Sequence, residues 1–177
     1  MLETIKSKIR GTMNLKQLKK DGMVVGEDVH IMNDVSIDTS HCWLIEIGDH
    51  VTIAPGCLIL AHDASTKRAL GYTRIGNVHI GNNVFVGART VILPNVKIGN
   101  HVVIGAGSIV TKDLPDNGVY AGNPCRKIMD YDQWIKVKKE ELSQAKTYTE
   151  EYIIGNITDE MKLQMKKELE LGMGFIV

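Results

Sequence analysis

The sequence predicts an all-β solenoid, a parallel β-helix, and two features of residues 80–115 are responsible. Every sixth residue is a branched aliphatic, and Gly follows four of the six. These aliphatics are Ile80, Val86, Ile92, Ile98, Ile104 and Val110. A period of six fits neither the 3.6-residue repeat of a helix nor the alternation of a long strand. It fits short strands joined by tight turns, in which Gly or Asn takes a positive φ. We expect three sixes to close one three-sided coil that needs its neighbours to bury its aliphatics.

The start of the chain predicts a helical cap over residues 1–24. Leu2, Ile5 and Ile9 share one helical face, and residues 14–17 resemble a second helix start that Gly22 ends. A cap is expected because the first coil of a solenoid would otherwise expose the unpaired edges of its strands.

The sixes predict a β-helix domain over residues 25–130 with two interruptions. The first is DTSHCW at 38–43, which adds four residues to the repeat. The second is an excursion over 65–79, STKRALGYTRIGNVH, before the repeat resumes at Ile80. Long ordered loops in a tightly periodic chain are often functional.

Residues 131–177 predict a C-terminal helical extension, with helices over 131–145 and 158–171. Thr158 is a candidate N-cap, and Gly172 a candidate end. Met161, Met165 and Leu169 form an apolar stripe that is typical of packing and not of a binding site.

Composition excludes several classes of function. Lys and Arg together number 21, as do Asp and Glu, so the net charge indicates neither a nucleic-acid nor a membrane partner. The three cysteines form no disulfide framework or zinc pattern, and Cys57 falls on an inward repeat position. No long apolar run or signal-peptide core is found, so we expect a cytoplasmic protein without a membrane span.

Among the six histidines, His62 is the candidate general base. It lies in LILAHDAS, where the repeat gives way to the excursion, and local rules break most often at functional sites. A histidine is suited to this task because its ordinary pKa is close to the working pH. His30, His50, His79 and His101 fall on outward positions, whereas His41, within DTSHCW, has no evident structural role.

The segment that follows LILAHDAS resembles the hexapeptide-repeat acyltransferases. Its residues are IGNNVFVGARTVILPNVKIGNHVVIGAGSIVTKDLPDNGVYAGNPCRKI, and the likeness covers about residues 24–130. The sugar and polysaccharide O-acetyltransferases and the galactoside and maltose acetyltransferases are the most similar branches. The resemblance implies a left-handed β-helix, a homotrimer with active sites between subunits, acetyl-CoA as the acyl donor and no metal.

The same resemblance implies a role for particular residues. His62 would take the proton of an acceptor hydroxyl, which then attacks the thioester directly in a ternary complex. Coenzyme A contacts would involve Ala88, Ala106, Thr111, Lys112 and Arg126. The acceptor, a hydroxyl of a sugar or polysaccharide precursor, would contact Asn33, Asp38 and Phe85, where relatives often have Trp in place of Phe85. Asp63 could orient the imidazole of His62 or be structural, and Trp43 could line the acceptor pocket or pack.

Two other interpretations are weighed against this one. A γ-type carbonic anhydrase shares the solenoid but needs three metal-bound histidines, two of them close in sequence, and no such pair occurs here. A non-catalytic β-helix scaffold is the second alternative, which His62 and the VTKD and NPCRK segments disfavour.

Overall fold

The computed structural model describes residues 15–177, and its β part is a three-sided parallel coil. After helix α1 (Leu15–Lys20), strands recur in threes along the chain. The first two coils contain β1 (Val24–Val25), β2 (His30–Ile31), β3 (Ser36–Ile37), β4 (Ile45–Ile47), β5 (Thr52–Ile53) and β6 (Leu58–Ile59). The excursion contains β7 (His62–Asp63), helix α2 (Lys67–Leu70) and β8 (Arg74–Ile75). The remaining strands of this part are β9 (Val78–Ile80), β10 (Val84–Val86), β11 (Val91–Ile92), β12 (Val96–Ile98), β13 (Val102–Ile104), β14 (Ile109–Val110), β15 (Gly118–Ala121) and β16 (Arg126–Asp130).

Each third strand stacks on the same side of the coil, which gives three parallel sheets. The first sheet has the order β1-β4-β9-β12, the second β16-β15-β13-β10-β5-β2 and the third β14-β11-β6-β3. Within these three sheets, β16 is the one strand that is antiparallel to its neighbour. Val84 pairs with Val102 and Val91 with Ile109, a step of eighteen residues in both cases. The predicted three-sided coil is therefore confirmed, and the two interruptions lie between its regular turns.

The core is the column of inward aliphatics that the sequence predicts. Ile80, Val86, Ile92, Ile98, Ile104 and Val110 are each fully buried. The residues at the second inward position are at most 5% exposed: Val84, Thr90, Val96, Val102, Ser108 and Leu114. A pleated two- or three-residue strand turns alternate side chains inward, so one aliphatic from every strand joins the same column.

An Asx ladder connects the coils at the corner between the first and second sheets. The side chains of Asp49, Asn82, Asn100 and Asp116 each accept a hydrogen bond from a backbone amide of the preceding coil, at 2.7–2.8 Å. Gly occupies this corner because the coils are close here: a Cβ on Gly81 would lie 2.7 Å from the carbonyl oxygen of Gly99. The exposed residue after each Asx, such as His50 or His101, has a positive φ.

The N-terminal expectation is only partly tested. Helix α1 buries Leu18 against the core, but the helix expected earlier in the chain lies outside the described residues. The excursion begins and ends earlier than predicted: it already includes β7 at His62, and β9 begins at Val78, whose side chain is buried. His79 between Val78 and Ile80 points outward, as expected.

Contacts divide the chain after residue 131, and residues 132–177 form a second unit. Helix α3 (Tyr131–Gln144) leads into it, followed by β17 (Thr147–Tyr148), helix α4 (Asp159–Glu168) and β18 (Phe175–Ile176). Strands β17 and β18 pair in parallel around the buried Tyr148, whose hydroxyl donates to Glu168. Thr158 caps α4, as predicted, and its Met stripe is half-buried. Within residues 15–177 the helices are too short or too polar to cross a lipid bilayer.

The column of aliphatics generates a stability prediction. Replacing Ile92, at the centre of the third sheet, with Ala should lower the free energy of unfolding by about 2–5 kcal/mol, because it leaves a cavity between stacked coils. Denaturant unfolding followed by circular dichroism measures this change. The control is Val91→Ala, whose side chain faces outward on the same strand and should cost no more than about 1 kcal/mol. Equal losses in the two variants would contradict the assignment of inward and outward positions.

Candidate active site

The DTSHCW interruption places a buried carboxylate beside His62. Asp38 follows β3 and is 6% exposed. Its Oδ1 accepts hydrogen bonds from the Ser40 amide at 3.0 Å, the Ser40 hydroxyl at 2.8 Å and the His41 amide at 3.2 Å. Its Oδ2 accepts from the Ala61 amide at 3.0 Å and lies 2.5 Å from Nδ1 of His62. Asp38 thus both closes the turn of the insertion and holds the imidazole on the next coil.

His62 is held from one side and open on the other. Its Nδ1 faces Asp38, with the Ser40 hydroxyl 3.5 Å away, and 36% of its side chain is exposed. Within residues 15–177, Nε2 has no hydrogen-bond partner. Because a carboxylate can only accept, Nδ1 bears the proton of the neutral ring and Nε2 presents its lone pair. The geometry therefore gives a base that faces outward and is oriented from behind.

The Asp38 carboxylate stays ionised in spite of its burial. Burial acts to raise its pKa, but hydrogen bonds from Ser40, His62 and the Ala61 amide outweigh that effect and lower the pKa from 3.8 to about 2. A permanently charged carboxylate against Nδ1 fixes the tautomer of the ring and stabilises the imidazolium form when Nε2 takes up a proton.

The excursion folds back over His62 and forms one wall of a pocket. Strands β7 and β8 pair antiparallel, with His62 opposite Ile75 and Asp63 opposite Arg74. A pocket of about 420 Å³ opens beside this hairpin. It is lined by Leu60, His62, Asp63, Ala64, Arg74, Ile75, Leu93, Pro94, Asn95 and Thr111. The hairpin explains the length of the excursion, because it encloses the space into which His62 opens.

The roles of two carboxylates become clear, and the expectation for the first of them, Asp38, is corrected. Asp38 was expected to contact the acceptor, but it is buried and both its oxygens are engaged within the chain. Of the two roles open for Asp63, the structure agrees with the structural one. Asp63 accepts from the Ser65 amide at 2.9 Å and lies 3.4 Å from Arg74, so it holds the hairpin together. The residue that orients the imidazole is Asp38.

The remaining residues implied by the resemblance lie on different sides of the coil. Thr111 lies in the same pocket as His62, at the corner between the third and first sheets, with Lys112 exposed beside it. Asn33, Ala88 and Ala106 lie at the opposite corner, between strands of the second and third sheets. Phe85 is 46% exposed on the outer face of the second sheet. Arg126 is exposed at the start of β16, where its guanidinium donates to the Cys125 carbonyl.

The cysteines are poorly suited to nucleophilic chemistry. Cys42, Cys57 and Cys125 are buried and free. Burial raises the thiol pKa of Cys57 and of Cys125, and a thiol that stays protonated is a poor nucleophile.

The sequence set His41 apart from the outward histidines but did not assign it a role. Its ring lies 5.3 Å from the ring of His62 and 5.4 Å from that of Trp43, centroid to centroid. Its Nδ1 is buried and lacks a hydrogen-bond partner among the described residues. The sequence signal for a role of His41 is the break in the repeat at DTSHCW, because residues of an insertion are not needed for the regular coil.

The low pKa of Asp38 generates a prediction for stability against pH. Its folded pKa lies below its unfolded value, so it stabilises the fold above about pH 4, and this contribution is lost as the pH falls towards 2. The contribution is about 2 kcal/mol from the shift to about 2. Asp38→Asn should therefore lower the free energy of unfolding at pH 7 and flatten its fall between pH 4 and 2, as measured by denaturant titration.

The control for this prediction is Asp34→Asn, which replaces an exposed carboxylate in the preceding turn. Its positive φ of 60° suits Asn as well as Asp. This variant should keep the wild-type pH profile. A wild-type profile for Asp38→Asn would show that the Asp38 carboxylate is not held by these hydrogen bonds.

Comparisons with known proteins agree with the hexapeptide repeat. Residues 77–112 match the model of a family described as bacterial transferase hexapeptide (six repeats). Protein CapG of Staphylococcus aureus is 45% identical over 126 residues, which cover 67% of this chain and 72% of that protein.

Two solved structures are similar in both sequence and shape. A maltose O-acetyltransferase from Clostridium difficile 630 superposes with a TM-score of 0.53 at 31% identity, over 65% of this chain and 73% of the other. A galactoside acetyltransferase in complex with coenzyme A gives a TM-score of 0.55 at 35% identity, over 68% and 71% of the two chains. With relatives of this identity matching most of their length, the chain belongs to the hexapeptide-repeat acyltransferases.

Proposed function

We propose that this chain is an acetyl-CoA-dependent O-acetyltransferase that acetylates a hydroxyl of a saccharide, with His62 as general base. The observation that supports this most is the Asp38–His62 pair. It orients an imidazole with Nε2 towards a pocket that also contains Thr111, a position implied to contact coenzyme A. Solved relatives hold coenzyme A or acetyl-CoA, which supports the donor.

The proposed reaction is a direct transfer. Nε2 of His62 takes the proton of the acceptor hydroxyl as its oxygen attacks the thioester carbonyl. The tetrahedral intermediate then collapses, the carbon–sulfur bond breaks, and the imidazolium returns its proton to the departing thiolate. Asp38 stabilises the imidazolium and keeps Nδ1 protonated throughout. No cysteine is needed as an acyl carrier, in keeping with the burial of all three thiols.

Coenzyme A would extend along the corners of the coil. The Ala88 carbonyl already accepts from the Gly107 amide at 2.8 Å, so its N–H is the group that we assign to the pantetheine arm, together with Ala106 on the next coil. Thr111 and Lys112 would meet the adenosine end. The exposed guanidinium of Arg126 would bind a phosphate, for which its planar fork is suited.

The scatter of these residues supports a homotrimer. Phe85 and Asn33 lie on the second sheet and at its corner with the third, whereas His62 opens at the corner between the third and first sheets. One chain cannot bring both sides of its own coil to a single substrate. A closed threefold ring would place one side of each coil against the other side of its neighbour. We propose that acceptor contacts from Phe85 and Asn33 reach the His62 of an adjacent subunit.

A saccharide acceptor is supported by a groove beside the DTSHCW insertion. Its volume is about 430 Å³, and Trp43 is 56% exposed within it. Polar side chains complete the lining: Glu46, Asn77, His79 and Lys97. An exposed indole flanked by hydrogen-bonding groups suits a sugar ring, which has one apolar face and a polar rim. The ring of His41 is 5.4 Å from that of Trp43 and 5.3 Å from that of His62, centroid to centroid. Trp43 is therefore close enough to His62 for one short saccharide to contact both.

Three further features complete the proposal: the hand of the coil, the cellular location and the pathway of the acceptor. We assign the coil a left hand, as the resemblance implies. We assign the protein to the cytoplasm, where its three free, buried thiols would stay reduced. We assign the acceptor to polysaccharide biosynthesis, in line with the sugar acetyltransferases among its relatives.

The role of His62 as the base is tested by its removal. His62→Ala should lower kcat for acetyl transfer by at least about 100-fold without unfolding the chain, because general-base catalysis contributes about that much. Release of coenzyme A from acetyl-CoA, measured over a panel of mono- and oligosaccharides, gives the rate. His30→Ala removes an exposed histidine that also lies 2.9 Å from a carboxylate, and it should keep the wild-type rate. A His62→Ala enzyme as fast as wild type would remove His62 from the mechanism.

The role of Trp43 in acceptor binding is tested in the same way. Trp43→Ala should raise the acceptor KM about tenfold, from loss of one stacking contact worth about 0.5–1.5 kcal/mol together with buried apolar area. The KM for acetyl-CoA should not change. Tyr72→Ala, which removes another exposed ring that does not line this groove, is the control. If Trp43→Ala changes only the acetyl-CoA KM, the groove is not the acceptor site.

A further inference from the structure

We propose that Asp38, His41 and His62 form a binding site for Zn²⁺, and that the bound ion switches off His62. The binding of the ion is independent of the proposed function, whereas the inhibition rests on it. A resident metal is not expected in this family, so the site would take up an exchangeable inhibitory ion.

The donor atoms are already gathered. One potential ligand atom from each of the three side chains lies within 4.8 Å of the other two. Nδ1 of His41 is 4.0 Å from Oδ1 of Asp38, and its ring packs against that of His62. Two imidazole nitrogens and one carboxylate oxygen are a donor set that Zn²⁺ favours. The hard ions Mg²⁺ and Ca²⁺ prefer sites made of oxygen ligands alone.

His41 gives the independent reason to expect a ligand. Its Nδ1 is shielded from solvent and has no hydrogen-bond partner among the described residues. A buried polar atom without a partner is costly, and the carboxylate that it faces at 4.0 Å is too far away for a hydrogen bond. A bound cation would give Nδ1 of His41 the partner that it lacks. The side chains of His41 and His62 remain 28% and 36% exposed, so the cluster lies at the surface, and small ring movements would open the shielded nitrogens to an ion.

Small movements would complete the coordination. Zn²⁺ binds His nitrogen and carboxylate oxygen at about 2.0–2.2 Å, so two ligands of one tetrahedral ion lie about 3.3 Å apart. Nδ1 of His41 is 4.0 Å from Oδ1 of Asp38, whereas Nδ1 of His62 is 2.5 Å from Oδ2. The three side chains must therefore rotate to bring one carboxylate oxygen to this spacing from both nitrogens. Three protein ligands leave one position for water, which is typical of open, exchangeable zinc sites.

The chemical consequence follows from the tautomer of His62. In the metal-free enzyme Nδ1 bears the proton and Nε2 is the base. A metal on Nδ1 needs the lone pair of that atom, so the proton of the neutral ring must reside on Nε2. No proton is gained or lost by the ring, but the atom that should accept the acceptor's proton is already protonated. The bound ion therefore removes the base without blocking the pocket.

The binding test uses the full chain, stripped with EDTA, and ZnCl₂ as the probe in isothermal titration calorimetry. Wild type should bind one Zn²⁺ at this site, and Mg²⁺ should give no heat. His41→Ala and His62→Ala should each weaken binding at least about tenfold, the lower bound for losing even an indirect metal contact. His30→Ala, which removes one of the two surface histidines that contact Asp28, should bind as wild type. Wild-type affinity in His41→Ala, or no saturable binding by the wild-type chain, would overturn the site.

The inhibition test is separate. Zn²⁺ should lower the rate of acetyl transfer by wild type, and EDTA should restore it. His41→Ala, compared with its own metal-free rate, should resist Zn²⁺ at concentrations that inhibit wild type and His30→Ala. Equal inhibition of all three would contradict the switch even if binding is confirmed. If no acetyl transfer is observed at all, the proposed function fails while the calorimetric result still decides the metal site.

Discussion

Register between stacked coils is the constraint on which this structure depends. An inward aliphatic on each short strand is buried only if the strand above and the strand below place theirs at the same level. The eighteen-residue step of the pairings meets that condition on all three sides of the coil. The Asx ladder and the close-packed Gly corner then leave little freedom for a coil to slip, because a slip would break both at once.

The regular packing of the coils explains why the candidate site residues lie where the repeat is interrupted. The two insertions leave from the same corner of the coil, after β3 and after β6. The first supplies Asp38, His41 and Trp43, and the second supplies His62 and the hairpin over the pocket. Because β3 and β6 are paired in register, the two insertions meet although they are distant in sequence. The inward aliphatics before and after each insertion remain buried, so the insertions leave the core packing intact.

The repeat, its inward residues and its interruptions could be predicted from the sequence, because each follows from the local period of the backbone. Ile80 to Val110 needed only their spacing, and the outward direction of His50 and His101 followed from their place in the sixes. The partner of His62 could not be found in this way. Asp38 directly follows the last paired residue of β3, Ile37, and whether its side chain turns to solvent or to the next coil depends on the conformation of DTSHCW. Asp63, adjacent to His62 in sequence, points instead to Arg74, because its side-chain direction is set by the β7–β8 hairpin and not by the repeat.

The central claim is that Asp38 holds His62 with its proton on Nδ1 and its lone pair on Nε2, and it can be measured without any substrate. The ¹⁵N chemical shifts of the His62 side chain, recorded by NMR on the metal-free chain at a pH where the ring is neutral, report which nitrogen bears the proton. The structure predicts a protonated Nδ1 and an unprotonated Nε2. A proton found on Nε2 of the metal-free protein would contradict the account.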